Sequence, residues 1–173
     1  MGPALLDGRV SRPLRVTAVC SGNICRSPIA EYVLRAAVED AGLGHAIVVD
    51  SAGVGAWHVG EGADSRSVKV LAKHGYDGSP HRVQQITSSW FDADDAPDLL
   101  LAMDSSHYAA LRRMAPEADV RMMRSFDPRL AARPDADLDV PDPYYGSGDG
   151  FEQVLAMIER ATPGVVEYLR DQL

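Results

Sequence analysis

"VTAVCSGNICRSPIAEYVLRAAVEDAG", residues 16–42, decides how the rest of the chain is read. A β-branched run stops at Cys20, a short loop of small polar residues follows, and Arg26-Ser27-Pro28 opens a segment with apolar residues at Ile29, Val33, Ala37 and Ala41, one face of an amphipathic helix. Ser27 is placed to cap that helix, Pro28 suits its first turn, and Gly42 marks its stop. The stretch is therefore strand, loop and helix, with a thiol where the strand ends.

Working outward, "LRVTAV" (14–19) has the length and β-branched content of a buried strand, and "AIVVD" (46–50) reads as a second, leading into the Gly-rich loop "SAGVGAWHVGEGAD". A helix is expected from Ser65 to His74, ended by Gly75. "PDLLLAM" (97–103) is a third strand with "DSSHYAALRRMA" a helix behind it, and "DVRMMRSF" (119–126) a fourth. A Pro- and Asp-rich loop runs to Tyr145, and a last helix covers Phe151 to Leu169, kinked or divided at Pro163.

Strands alternating with helices across short loops predict an α/β fold in three layers: a four-stranded parallel sheet flanked by helices, with right-handed crossovers. In such sheets the functional crevice lies beyond the carboxyl ends of the strands. That edge receives the Cys20 loop, the Ser51–Trp57 loop and the Asp127–Tyr145 loop, which can share one site despite their separation in sequence.

The bulk composition sets limits on what such a site does. The chain of 173 residues, 46 % hydrophobic, fits one compact domain, taken as residues 14–173 behind a flexible lead-in at 1–13. A net charge of -8 argues against nucleic acid as a partner, so any anion site must be local. The opening residues lack the apolar run of a signal peptide, Leu6 stands where a myristoylation motif wants Ser or Thr, and no stretch is apolar for long enough to span a bilayer; the expected location is cytoplasmic, without a membrane partner. Cys20 and Cys25, the two cysteines, would close too small a disulfide loop to hold a fold of this size, which points to a reducing compartment. The five histidines show no zinc spacing, and no metal or other cofactor is expected.

A loop running from a strand into a helix N-terminus aims backbone N–H groups inward and adds the partial positive charge of the helix, which makes an anion site. Residues Ser21, Gly22, Asn23, Ile24, Cys25 and Arg26 would form it. The lysine of the nucleotide-binding GxxxxGK[ST] loop is absent, and a thiol takes the central place. That setting favours thiolate over thiol and makes Cys20 a nucleophile near neutral pH. Arg26, closing the C-x5-R spacing, returns over the loop as a planar fork for two phosphate oxygens, a fit lysine would lose. The pattern predicts a displacement in which Cys20 attacks phosphorus while the loop and Arg26 stabilise the equatorial oxygens. Expelling an alkoxide or phenolate also needs a proton donor, and Asp127, Asp135, Asp137, Asp139 and Asp142 all lie in the long loop on the active edge. Of these only Asp142 is held between two prolines and beside two aromatics.

"VCSGNICRSPIAE" (19–31) together with "DPYYG" (142–146) resembles the signature of the bacterial-type low-molecular-weight protein tyrosine phosphatases. "DSAGVGAWHVGEGAD", "SPHRVQQI", "LLLAMD" and "SFDP" are similar to that family's other fixed points, in the same order. The resemblance implies hydrolysis of phosphotyrosine in proteins through a phosphocysteine intermediate, with Cys20 as nucleophile, Arg26 as phosphate clamp and Asp142 as general acid. It further implies a slot for an aryl ring lined by Trp57, Tyr144 and Tyr145, a supporting hydrogen-bond network from Asn23, Ser27, Ser51 and His81, and a redox role for Cys25 as partner of oxidised Cys20. Tyrosine-phosphorylated proteins are the implied substrates, a monomer or weak dimer is expected, and the adjacent Tyr144 and Tyr145 are themselves candidates for phosphorylation, which would make a tyrosine kinase a further partner.

Three other readings compete. Thioredoxin-coupled arsenate reductases on this fold use cysteines late in the chain, and none follows Cys25. Phosphoarginine phosphatases carry Thr where Ile24 stands here. A non-catalytic phosphotyrosine-binding module can dispense with both Cys20 and Asp142, and both are present.

Overall fold

The computed structural model describes residues 12–146 and 149–173 and, ahead of them, two short strands, β1 (Leu5–Leu6) and β2 (Arg9–Val10), paired antiparallel and separate from the main sheet. They fall within the lead-in.

The main sheet has four parallel strands in the order β4-β3-β5-β6: β3 (Leu14–Cys20), β4 (Ile47–Gly53), β5 (Leu99–Ala102) and β6 (Val120–Met122). β3 is central because its carboxyl half is buried on both faces, with Thr17 satisfied there by Asp50. Val16, Ala18 and Cys20 face a core made with helices α1 (Arg26–Asp40) and α5 (Asp149–Arg170). Val19 faces the opposite core, where Leu111 of α3 (Ser105–Met114) and Ile86 meet Leu100 and Ala102. A strand buried on both faces is what a parallel sheet demands. Helix α2 (Ser65–Lys73) packs beside α1 and α5, completing three layers. No helix of the described residues is long and apolar enough to cross a membrane.

Helix ends follow local chemistry. α1 closes in a Schellman turn: the Gly42 N–H reaches Glu39 O, the Leu43 N–H reaches Val38 O, and Gly42 takes φ +74°. Asp64 caps α2 through the Arg66 N–H, and Asp104 caps α3 in a reciprocal box with His107.

Four expectations change. Ser27 does not cap α1; the helix starts two residues earlier than a Ser27 cap would set it, Cys25 takes the cap position without a side-chain bond, and the Ser27 hydroxyl turns inward instead. Strand β4 runs three residues past Asp50. Ser51, Ala52 and Gly53 pair in register with Ala18, Val19 and Cys20, and Gly53 also exchanges bonds with Gln84 and Ile86. β6 is short, and a 3-10 turn (Met123–Phe126) follows it; Phe126 is succeeded by the small helix α4 (Pro128–Ala131). α5 is not divided at Pro163. The Thr162 hydroxyl bonds Ile158 O, and Gly164 lets the helix approach Phe126 O, to which a Cβ there would come within 2.5 Å.

Candidate active site

Cys20 ends β3 and Arg26 begins α1, so residues 20–26 wrap the N-terminus of a fifteen-residue helix. The loop's turn is made at Asn23, which takes φ +59° while fully buried. Asn tolerates that left-handed conformation better than most side chains, and here four bonds hold it. Its carboxamide Nδ2 donates to Ser27 Oγ (2.8 Å) and Ser51 Oγ (2.9 Å), and its Oδ1 accepts from the Gln84 N–H (3.0 Å). The Asn23 carbonyl accepts from His81 Nε2 (2.9 Å). Behind this shell Ser51 donates to Glu31 Oε1 (2.6 Å), whose carboxylate also faces His81 Nδ1 at 3.4 Å and binds Arg35.

This wiring orients a proton toward the thiol. Because Asn23 donates to Ser27 Oγ, the single Ser27 hydroxyl proton has two acceptors in reach, Cys20 Sγ at 2.9 Å and the more distant Ala52 carbonyl at 3.5 Å. A thiolate would accept it. Gly53 at the end of β4 belongs to the same construction: a Cβ there would lie 2.9 Å from Ser21 O and 3.1 Å from Asn23 N, so the strand end is bare to let the loop sit against it.

Arg26 is 4 % exposed. Its Nη1 donates to Asp104 Oδ2 (2.8 Å) and to the Val140 carbonyl (2.9 Å), while Nη2 faces Asp142 Oδ2 at 3.7 Å, beyond hydrogen-bond range. One side of the fork thus anchors to the protein, and the other opens to the cleft. Burial pushes the Asp104 carboxyl up, but bonds from Ser106, Arg26 and His107 outweigh it and bring it down to about 2. Burial pulls the His107 imidazole down to about 4. The neutral ring accepts the Asp104 N–H at Nδ1 (3.1 Å), so its Nε2–H donates to Ser21 Oγ (2.8 Å), tying the loop to α3.

The long loop reaches the site through fixed points. The Ser105 N–H bonds Asp139 Oδ1, Arg124 Nη1 bonds Asp139 O, and the Val140 N–H bonds Met103 O. These bring Asp142 to the cleft, where its Oδ1 accepts the Tyr144 N–H (3.0 Å). The other four acids of the loop are placed elsewhere. Asp127 is buried as the cap of α4 beside Arg129 and Arg160, Asp137 and Asp139 bond backbone N–H groups, and Asp135 is exposed away from the cleft lining.

The cleft encloses about 480 Å³. Cys20, Ser21, Gly22, Ile24, Cys25, Arg26, Trp57, Asp142, Tyr144 and Tyr145 line it, and Asn23, Ser27, Ser51 and His81 stand directly behind. Trp57 is 73 % exposed and rests against Gly55, where a Cβ would collide with the indole; Tyr144 and Tyr145 meet edge to face with centroids 4.9 Å apart. Burial, with the charge of Asp64 adding to it, pushes the Cys25 thiol up to about 12. Among the described residues no group of three or more His, Cys, Asp or Glu is placed to hold a metal ion.

Sequence reasoning passed over Glu31, Gln84, Asp104, His107 and His58, the last also on the cleft wall. Two carried a readable signal. Glu31 lies one helical turn after Ser27 on the same face, and Asp104 follows a strand directly with His at the third helical position.

The sequence matches the family model described as Low molecular weight phosphotyrosine protein phosphatase over residues 15–173, nearly the whole chain. The chain belongs to that family. It is 55 % identical to a low molecular weight protein-tyrosine-phosphatase of Streptomyces coelicolor, over 92 % of this chain and 95 % of the relative. It is 47 % identical to low molecular weight protein-tyrosine phosphatase A of Mycobacterium tuberculosis, over 95 % and 96 %. The crystal structure of a protein tyrosine phosphatase from Entamoeba histolytica, with Hepes in its active site, superposes with a TM-score of 0.81 at 33 % identity, covering 92 % of this chain and 98 % of that one. The family's architecture is thus present here in full: a parallel sheet with the C-x5-R loop between its first strand and first helix.

Proposed function

We propose that this protein-tyrosine phosphatase hydrolyses phosphotyrosine in proteins, and simple aryl phosphates, through a phosphocysteine at Cys20. The observation that carries the assignment of roles is convergence: residues 20, 26 and 142 line one cleft, with Arg26 Nη2 3.7 Å from Asp142 Oδ2. A phosphate seated on the loop would face the thiol below, the free edge of Arg26 at its side and the Asp142 carboxyl toward its ester oxygen.

In the first step the Cys20 sulfur forms a bond to phosphorus as the bond to the phenolic oxygen breaks, and Asp142 gives that oxygen its proton. In the second, Asp142, now ionised, takes a proton from water as the water oxygen attacks the phosphocysteine, releasing inorganic phosphate and the thiolate. Trp57, Tyr144 and Tyr145 form the mouth, where flat aromatic surfaces suit an aryl ring. The substrates are phosphoproteins.

Asp142→Asn tests the assignment. Amide cannot give up a proton to the leaving group, so release of a poor leaving group such as phenol should fall by about 10²–10⁴-fold. The wild type needs Asp142 protonated and Cys20 ionised, which predicts a bell-shaped pH profile; in Asp142→Asn the alkaline limb should flatten. A variant with wild-type rate and profile would remove the acid from this position.

Cys25 is the proposed resolving thiol for Cys20. Its raised thiol stays protonated near neutral pH, so the Cys20 thiolate is the one that attacks peroxide, breaking the O–O bond, releasing hydroxide and becoming a sulfenic acid. Condensation with the Cys25 thiol then forms the disulfide and expels water. Cys25→Ser is expected to keep its activity under reductant but to recover more slowly when a thiol is added after a peroxide pulse; equal recovery would discard the role.

A further inference from the structure

No motif marks Arg66, yet it connects the two halves of the site. It lies in the first turn of α2, and its guanidinium makes a double bond pair with Asp64, Nε to Oδ1 at 3.0 Å and Nη2 to Oδ2 at 2.9 Å. Asp64 is in turn fixed on the phosphate loop, its N–H donating to the Ile24 carbonyl at 2.9 Å. The remaining arm of Arg66, Nη1, donates to the Tyr144 carbonyl at 3.1 Å. Its guanidinium carbon sits 5.2 Å from the Tyr144 ring centroid and 4.7 Å from that of Phe151. Tyr144 closes the chain of contacts, since its N–H holds Asp142 Oδ1.

The need for such a strap follows from the sequence around the acid. Upstream anchors end at Val140, held by Met103 O and Arg26. Pro141 and Pro143 have no N–H to offer, and the Tyr144 N–H is spent on Asp142. With two of its four N–H groups missing and a third turned inward, the segment carrying the acid is held largely through its carbonyl oxygens: Pro143 O accepts the Gly146 N–H and Tyr144 O accepts Arg66. We infer that Arg66 is a positioning residue for the general acid, setting the height of the Asp142 carboxyl over the phosphate loop through Tyr144. This rests on the reading of Asp142 as the acid.

A residue that merely packed α2 against α5 would affect stability and all substrates alike. A strap on the acid affects only steps in which the acid transfers a proton. The experiment is the pre-steady-state burst of phenol from phenyl phosphate and of 4-nitrophenol from 4-nitrophenyl phosphate, in wild type, Arg66→Ala, Arg66→Lys, Asp142→Asn and Arg66→Ala combined with Asp142→Asn. 4-Nitrophenolate leaves well without a proton; phenolate does not. Displacing a catalytic group by about 1 Å costs on the order of 10²-fold, so Arg66→Ala should slow the phenol burst by about 10- to 100-fold and the 4-nitrophenol burst by less than about 3-fold. In the Asp142→Asn background it should cost nothing further. Arg66→Lys keeps the cation near the rings but loses the fork, so it should fall between wild type and Arg66→Ala, and it carries the test if the alanine variant does not fold. Equal slowing of both leaving groups, or a full added loss on top of Asp142→Asn, overturns the inference. Asp142→Asn showing no dependence on the leaving group would fell the acid assignment itself, and the strap with it; leaving-group dependence in Asp142→Asn without any in the Arg66 variants would fell the strap alone.

Discussion

Cys20→Ser is expected to lower aryl phosphate turnover by at least about 10⁴-fold at mildly acidic pH, with chelator and reductant present, since an enzyme that loses its nucleophile loses the covalent route as a whole. Serine keeps the shape of the site but remains a neutral hydroxyl where cysteine supplies a thiolate, so the Ser27 proton at 2.9 Å no longer stabilises a charge. The fold should tolerate the change: the side chain ends β3, and neither the Asn23 bonds nor the Arg26 anchors involve the sulfur. Inorganic phosphate should still bind and thermal unfolding should be little altered. Retained turnover in a folded Cys20→Ser protein would move the chemistry to another group.

Arg26→Lys is expected to lower kcat/KM for aryl phosphates by about 10²–10³-fold, the equivalent of losing one buried charge-assisted pair. An ammonium group can meet Asp104 or the phosphate but cannot present parallel donors to both, and the Val140 carbonyl competes for it. The loss should divide between substrate binding and the chemical step. Arg26→Ala adds a stability effect with a definite sign. Asp104 is depressed to about 2, so it contributes stability above its unfolded value that is lost as pH falls through that region. With Arg26 gone one depressing bond is removed, and acid unfolding should begin at a higher pH. An unshifted acid transition would mean that the pair does not hold the fold.

The strands and the loop that carries Cys20 are legible in the sequence because their signals are local. A β-branched run, a loop of small residues and a proline-started helix lie within 27 consecutive positions, and periodicity distinguishes the two kinds of element. The placement of Asp142 in the cleft is half legible. Five aspartates shared one loop, and what removes four of them is tertiary: the bonds of Asp127 to α4, of Asp137 and Asp139 to backbone N–H groups, and the position of Asp135 outside the cleft lining. The carboxylate behind Arg26 was hidden for a similar reason. Asp104 looks like any helix cap, and only the parallel pairing of β3 with β5 sets that cap beside Arg26, 78 positions earlier in the chain. Ser27 was misjudged because a hydroxyl near a helix start is ordinarily a cap. Here Asn23 and Cys20, brought close by the loop, compete for it and win.

The glycine at position 53 carries a consequence for synthesis of the chain. The phosphate loop leans on that bare strand end, and its central asparagine is completed by His81 and Gln84. The arginine at its far side is completed only by Asp104 and Val140. Cys20 is therefore among the first parts of the site to be synthesised, while the partners of its loop extend as far along the chain as Val140, so the cradle closes only after most of the polypeptide has been made and packed.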